Sequence, residues 1–253
     1  MNRIIIAIFF IAISSSVFSQ GDFVNSRISA VYKRTEDSLK AEFKRKNLAW
    51  PPTEMYVRSF KFDRQMEVWV KSSSASVNSP FVLLKTYKVC TQSGSMGPKR
   101  MEGDFQVPEG FYYINEFNPN SSYHLALGLN YPNSSDRILS NSSRPGSNIY
   151  IHGNCVSTGC IPITDVPMEE VYILASIVKN NGRQEFIPVH VFPVKYNNKK
   201  SLEFLNNNTS SNPYLKEFSS SLKTVYDKFE QSHELPVILI NKKGEYFIAG
   251  NYQ

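Results

Sequence analysis

The chain has 253 residues, of which 41% are hydrophobic and 13% aromatic, so it can bury a proper core as one large domain or as a domain with an appendage. Its 28 Lys and Arg outnumber its 22 Asp and Glu, giving a net charge of +6, but the cations are scattered rather than clustered and nucleic acid is not indicated as a partner. A modest positive charge suits an anionic polymer, and serves solubility equally well. Three cysteines, Cys90, Cys155 and Cys160, are too few for a disulfide-built scaffold.

The first elements are those of export. Asn2 and Arg3 make a short positive start, Ile4 to Ile13 is an uncharged apolar run, and Ser14 to Ser19 supplies the small residues that a signal peptidase reads. This is the pattern of a secretory signal peptide over residues 1–19. The run is well short of the roughly 20 residues that a permanent span needs. No cysteine stands near the cut, so neither a lipid anchor nor a stable membrane anchor is expected after cleavage. The expected destination lies across the inner membrane, in the periplasm or cell envelope. In that oxidising compartment three cysteines allow at most one internal bridge and leave one thiol over.

An N-terminal helical region is expected over 20–54. Its amphipathic part covers 26–47, with Ile28, Val31, Tyr32, Leu39 and Phe43 on one face, and Pro51 and Pro52 end it. Strand-like runs follow at 66–71, 81–89, 112–114, 123–129, 148–151 and 187–194, separated by loops of Gly, Pro, Asn and Ser. A helix interrupts them after the cysteines, capped by Asp165 and marked by Val171, Leu174, Ala175 and Val178. Residues 197–212 are rich in Asn, Ser and Lys and read as a linker. Leu215, Phe218, Leu222, Tyr226 and Phe229 form a second apolar stripe, and two short strands at 237–240 and 246–248 close the chain. There are no internal repeats. The fold class is α+β: a β-rich core over 55–196 with flanking helices, and an extension over 197–253.

Chemistry concentrates in Ile151-His152-Gly153-Asn154-Cys155-Val156-Ser157-Thr158-Gly159-Cys160. An apolar strand delivers a histidine, and a tight loop delivers a cysteine just ahead of a helix. A cysteine beside a histidine and near a helix N-terminus is expected to favour its thiolate. Backbone N–H groups around Gly159 and Cys160 are candidates for an oxyanion hole. Ser157 is the candidate to orient the His152 ring, as a third triad member does.

The segment resembles the active-site signature of the L,D-transpeptidase (YkuD-type) family. The matching residues are Ile151-His152-Gly153, then Ser157-Thr158-Gly159-Cys160-Ile161. Gly97-Pro98-Lys99, Gly103-Asp104-Phe105 and Pro108 to Ile114 resemble the turn that leads a strand into that family's cleft. Phe117-Asn118-Pro119, Tyr123-His124-Leu125, Asn130 to Asn133 and Pro188 to Pro193 resemble its YafK-like branch. The resemblance covers roughly residues 80–195. It implies a β-sandwich-like catalytic domain acting on peptidoglycan peptide stems. Cys160 would be the nucleophile, attacking the carbonyl of the third stem residue and expelling D-alanine. His152 would carry the proton, and an amine would resolve the thioester. No metal or organic cofactor is implied. One departure stands out: most members carry a second histidine two places before the cysteine, where this chain has Thr158. That leaves open a peptidase that cleaves a cross-link or a wall-attached protein with the same site. A non-catalytic wall-binding protein is a further alternative.

The remaining candidates are weaker. Tyr123, Tyr150 and Arg144 are candidate contacts for stem carboxylates, Arg144 through a bidentate grip. Gly153 and His124 join them as candidate substrate contacts, although His124, among apolar neighbours, reads equally as a packed histidine. His190, between valines, reads as structural, and His233 as exposed. Cys155 could bridge to Cys160, silencing it, or to Cys90, leaving Cys160 free; the resemblance favours the second because the chemistry needs that thiol. His152, Cys155 and Cys160 lack the paired spacing of a structural zinc site.

Overall fold

The computed structural model describes residues 20–76, 79–140 and 144–250; the expected signal peptide lies outside them. The first helix, α1 (Gln20–Arg45), buries Val31, Leu39 and Phe43, with Ile28 and Tyr32 packed at its margin. No helix among the described residues is long and apolar enough to cross a membrane.

After α1 come β1 (Pro52–Phe60), β2 (Gln65–Ser72) and β3 (Val82–Lys88). β4 (Gly110–Asn118) and β5 (Ala126–Leu129) lead to α2 (Ser134–Leu139), β6 (Tyr150–His152) and β7 (Ile161–Pro162). α3 (Asp165–Asn181) and β8 (Pro188–Phe192) complete the sheet region, and α4 (Lys199–Thr209), α5 (Pro213–Ser232), β9 (Ile238–Ile240) and β10 (Tyr246–Ile248) follow. Eight strands form one mixed sheet in the order β3-β2-β1-β8-β4-β5-β6-β7, and β9 and β10 form a separate hairpin.

The sheet turns at β4. Gly110 to Tyr113 pair with β8, whereas Ile114 to Asn118 pair with β5 across an irregularity between Ile114 and Glu116. A strand that bends at such a point and changes partner is how sheets make corners. The fold is α+β, as the sequence leads one to expect.

β1 is buried on both faces because helices cover both. Met55 and Val57 join the core that contains α1 and α3, and their alternating neighbours Tyr56 and Phe60 pack toward α5. The period-2 alternation of a strand assigns these sides. Val189 and Val191 of β8 face the α1 and α3 core, and Phe192 faces α5. Arg58, 2% exposed, lies among Trp69, Tyr226 and Phe229, its guanidinium bound to buried Glu67 and to Glu230 of α5.

Three expectations need correction. The segment read as a linker folds as α4, started by Asn198, whose side chain accepts from the Lys200 and Ser201 N–H groups. Its buried residues are Ser201, Leu205 and Thr209, two of them polar, so hydropathy alone misses the face. The strand expected over 123–129 begins only at Ala126, because His124 takes a left-handed conformation at φ 74° and breaks the extended chain. His233 is half-buried rather than exposed: it caps α5 with left-handed geometry, and its ring lies 5.0 Å from that of Trp69. His190 is structural, as expected. The Tyr56 hydroxyl meets its Nδ1 at 2.7 Å, and burial pushes the imidazole's pKa down to about 3.

Candidate active site

Register brings the two reactive residues together. β6 and β7 are parallel, with Ile151 opposite Ile161 and His152 opposite Pro162. Cys160 directly precedes β7 and therefore falls beside Tyr150. Residues at i and i+2 of a strand share a face, so Cys160, Tyr150 and His152 turn to the same side. All three line one cleft of about 450 Å³.

Parallel neighbours normally need a crossover of a dozen residues or more. Here residues 153–160 make the connection without a helix, and four contacts hold it. A Cys90–Cys155 disulfide, with Cα atoms 5.6 Å apart, ties the loop to the end of β3, and Cys160 is the free thiol. Ser93 Oγ meets Ser157 Oγ at 3.0 Å. Asp165 Oδ1 accepts the Asn154 N–H at 2.6 Å. Ser157 Oγ donates to the Cys160 carbonyl at 2.7 Å. Gly159 has φ +136°, which strains any side chain, and a Cβ there would crowd the Gln106 carbonyl oxygen at 3.2 Å.

Several expected roles are redistributed. Ser157 does not orient His152; it closes the loop on Cys160, and the ring is held by its own strand end, with Nδ1 2.5 Å from the Gly153 carbonyl oxygen. A carbonyl only accepts, so Nδ1 carries the proton and Nε2 keeps its lone pair. The Gly159 N–H does not point to an oxyanion; it donates to Ser157 Oγ at 3.2 Å. Asp165 is the first residue of α3 rather than its cap, and the capping position, Thr164, makes no side-chain cap bond.

The electrostatics differ from expectation as well. Cys160 stands before a strand, not at a helix start, and burial pushes its thiol up, against weaker opposing effects of the Tyr150 N–H and Lys99. The S–H points to the Asn148 carbonyl, 3.7 Å away. Burial pushes His152, 2% exposed, below the usual imidazole range. The resting pair is thus a neutral thiol and a neutral imidazole, not a thiolate beside an imidazolium. The step available to it is removal of the thiol proton by Nε2 during attack.

The candidate substrate contacts divide. Tyr123 and Tyr150 line the cleft. The Tyr123 ring lies over that of His152, with centroids 4.8 Å apart and planes at 31°, and Tyr150 donates its hydroxyl to Glu116 at 2.9 Å. His124, Gly153 and Arg144 are not on the lining. His124 is bound by Glu169 of α3, Nε2 to Oε1 at 2.6 Å. Gly153 is walled in, since a Cβ there would lie 2.5 Å from Asp165 Oδ1 and 2.8 Å from the Tyr123 carbonyl oxygen. The Arg144 side chain is 81% exposed and 3.7 Å from Glu102. Sequence reading missed the neutral hydrogen-bonding wall made by Asn118, Asn120, Ser121, Ser122, Asn148 and Thr158. The only signal for it was a density of Asn and Ser that also marks ordinary loops.

Among the described residues no group of three or more His, Cys, Asp or Glu could hold a metal ion. Cys155 is already bonded to Cys90, which removes it from the zinc set considered above.

A free thiol and a neutral imidazole turned into one cleft from neighbouring strands form the constellation that thiol-based acyl transfer uses. Residues 63–191 match the YkuD L,D-transpeptidase catalytic domain. YafK of Escherichia coli (strain K12), provisionally an L,D-transpeptidase, is 31% identical over 215 residues, 83% of this chain and 79% of that one. The chain belongs to the YkuD-type L,D-transpeptidase family, and with it has a peptidoglycan-related role. Among solved structures, the helical cell shape determining protein Pgp2 from Campylobacter jejuni is similar at 20% identity and a TM-score of 0.44, over 74% of this chain and 73% of that one. Bd1075 of Bdellovibrio bacteriovorus is similar at 18% identity and a TM-score of 0.39, over 77% and 80%.

Proposed function

We propose that the protein is an exported cysteine L,D-transpeptidase acting on peptidoglycan stem peptides through a thioester on Cys160. What carries the reading is the parallel β6–β7 register, which turns Cys160 and His152 into one cleft. Nε2 of His152 takes the thiol proton as sulfur attacks the carbonyl of the third stem residue. The C–N bond to D-alanine breaks, and the imidazolium returns the proton to the departing amine. An acceptor amine then attacks the thioester, giving its proton to Nε2 and releasing Cys160 as a thiol. The chemistry calls for no cofactor. Export follows from the N-terminal pattern of Arg3, the apolar run and the serines, which matches a periplasmic place of work.

Hydrolysis on the same thiol is the second reading, and Thr158 is the residue that keeps it in play. Where most members of the family carry an imidazole, this cleft has a small neutral side chain on its lining, which leaves only His152 to activate an incoming amine or water.

The test incubates the mature protein and a Cys160→Ala variant with tetrapeptide muropeptides and with cross-linked sacculi, products being followed by mass. Loss of D-alanine with formation of a cross-linked dimer, absent in the variant, is the expected result. Shortened or released stems without new bonds establish the hydrolase. Activity equal in the two proteins would take the chemistry away from Cys160, and activity in neither leaves a wall-binding protein.

A further inference from the structure

We propose that Arg27 of α1 is a positioning residue for the active site: it clamps both ends of segment 119–124 and so holds the Tyr123 ring over His152. The inference rests on the reading of His152 as the base and adds a residue that touches neither substrate nor thiol.

The clamp is a fork. Arg27 donates through one terminal nitrogen to the Pro119 carbonyl at 2.6 Å, and through the other to the His124 carbonyl at 2.7 Å. Those carbonyls bound the segment whose Asn120, Ser121, Ser122 and Tyr123 form one wall of the cleft. A planar guanidinium can bridge two acceptors at fixed spacing, and an ammonium on a flexible stem cannot hold that geometry. The second guanidinium nitrogen also lies 3.4 Å from His124 Nδ1, while Glu169 of α3 takes the other side of that ring. Glu169 is in turn held by Arg34 of α1, Nε to Oε2 at 2.7 Å. Two helices thus brace a segment that ends in a left-handed, non-glycine residue, His124 at φ 74°, a conformation that needs outside support.

The segment passes its position on to the catalytic strand. The Gly153 N–H donates to the Leu125 carbonyl at 3.2 Å, and Gly153 sits so close to Tyr123 and His124 that no Cβ fits between them. The Tyr123 ring covers His152, which is 2% exposed although it borders an open cleft. Releasing the segment would wet the imidazole and free it to turn.

The test uses Arg27→Gln and Arg27→Lys in the full mature protein, with Tyr123→Ala as an independent variant that removes the ring and leaves the clamp. Turnover of a tetrapeptide muropeptide per folded molecule is expected to fall roughly tenfold to a hundredfold in both Arg27 variants, the order seen for a displaced catalytic group, with KM changed less. The 15N signals of the His152 ring are followed against pH in the same samples. Of the titratable side chains nearby, the Tyr123 phenol stacks on that ring, the Cys160 thiol and the Tyr150 phenol line the same cleft, and Asp165 binds the Asn154 N–H two residues on. In all three variants the imidazole is expected to titrate at higher pH than in the wild type, because water reaches it. A merely structural contact would lower the unfolding midpoint and leave the ring's titration where it was. An unmoved titration, an Arg27→Lys variant indistinguishable from wild type, or unfolding of both Arg27 variants overturns the proposal. If the wild type turns over no muropeptide, the proposed reaction falls, and the imidazole titration still decides whether Arg27 holds the wall.

Discussion

Ser157 donates its hydroxyl to the carbonyl of Cys160 at 2.7 Å and makes no bond to His152. It therefore shapes the loop that presents the sulfur and does not set the imidazole's basicity. Ser157→Ala is expected to lower turnover, on the order of tenfold, through misplacement of Cys160, and to leave the acid limb of the pH profile unmoved. A Ser157→Ala enzyme with a displaced acid limb would place Ser157 back beside the histidine.

The resting pair has consequences for pH. Burial lowers His152 and raises Cys160. The active form needs Nε2 unprotonated, so activity is lost as pH falls through the lowered histidine value, below the ordinary imidazole range. At the other end the neutral thiol persists above the ordinary thiol range. A profile of kcat/KM against pH is expected to show a plateau through neutrality, bounded by limbs displaced outward. A thiol that ionises before the histidine is deprotonated, followed by the ultraviolet absorbance of the thiolate against pH, would indicate an ion pair instead.

Asp136 carries a separate pH signal. It is 1% exposed, accepts from the Tyr112 hydroxyl and the Asn133 N–H, and pairs with Arg100, yet burial dominates and pushes its pKa from 3.8 up to about 6. The folded state then binds the proton more tightly than the unfolded chain. Its contribution is greatest at pH below about 4 and is lost as pH rises to about 6, a change of about 3 kcal/mol. The depressed carboxyls of Glu67, Asp104 and Glu169 act in the opposite sense, so the comparison is made between proteins. Chemical denaturation of wild type and Asp136→Asn across pH 4 to 7 is expected to show a wild-type loss that the variant lacks. Parallel profiles would contradict the assignment.

The buried Arg58 should be costly to remove. Its Nη2 lies 2.6 Å from Glu67, which is 1% exposed, and its Nη1 lies 2.7 Å from Glu230 on α5. Arg58→Ala leaves Glu67 with Lys195 as its remaining cation and empties the space between aromatic rings. Breaking a buried pair in this way costs about 3–5 kcal/mol. Denaturant unfolding measures it, and a loss under 1 kcal/mol would mean that water replaces the guanidinium freely.

The parts of this structure that were legible in the sequence are those set by local pattern. The period-2 runs gave β2, β3 and β8 because each carries alternating or continuous apolar residues, and the Val171, Leu174, Ala175, Val178 spacing gave α3. The His152 and Cys160 pair was legible because both are brought to the cleft by one short stretch of chain. What was illegible depends on distant partners or on polar burial. Arg27 meets its acceptors 92 and 97 positions away, and no spacing rule reaches that far. α4 hides Ser201 and Thr209 on its buried face, so its composition read as a linker. The cysteine's environment was misjudged because a two-residue strand, β7, separates it from α3, and two residues carry too little pattern to be read.

The most direct test of the central claim is the mass of the enzyme during reaction. Mature protein is mixed with a tetrapeptide muropeptide, quenched in acid within the first turnovers, and its intact mass and proteolytic peptides are measured. An adduct equal to the substrate less D-alanine is expected, carried on the peptide that contains Cys160 and discharged by hydroxylamine. An adduct on any other residue, or substrate consumption with no adduct at Cys160 under conditions that slow the second step, would contradict it.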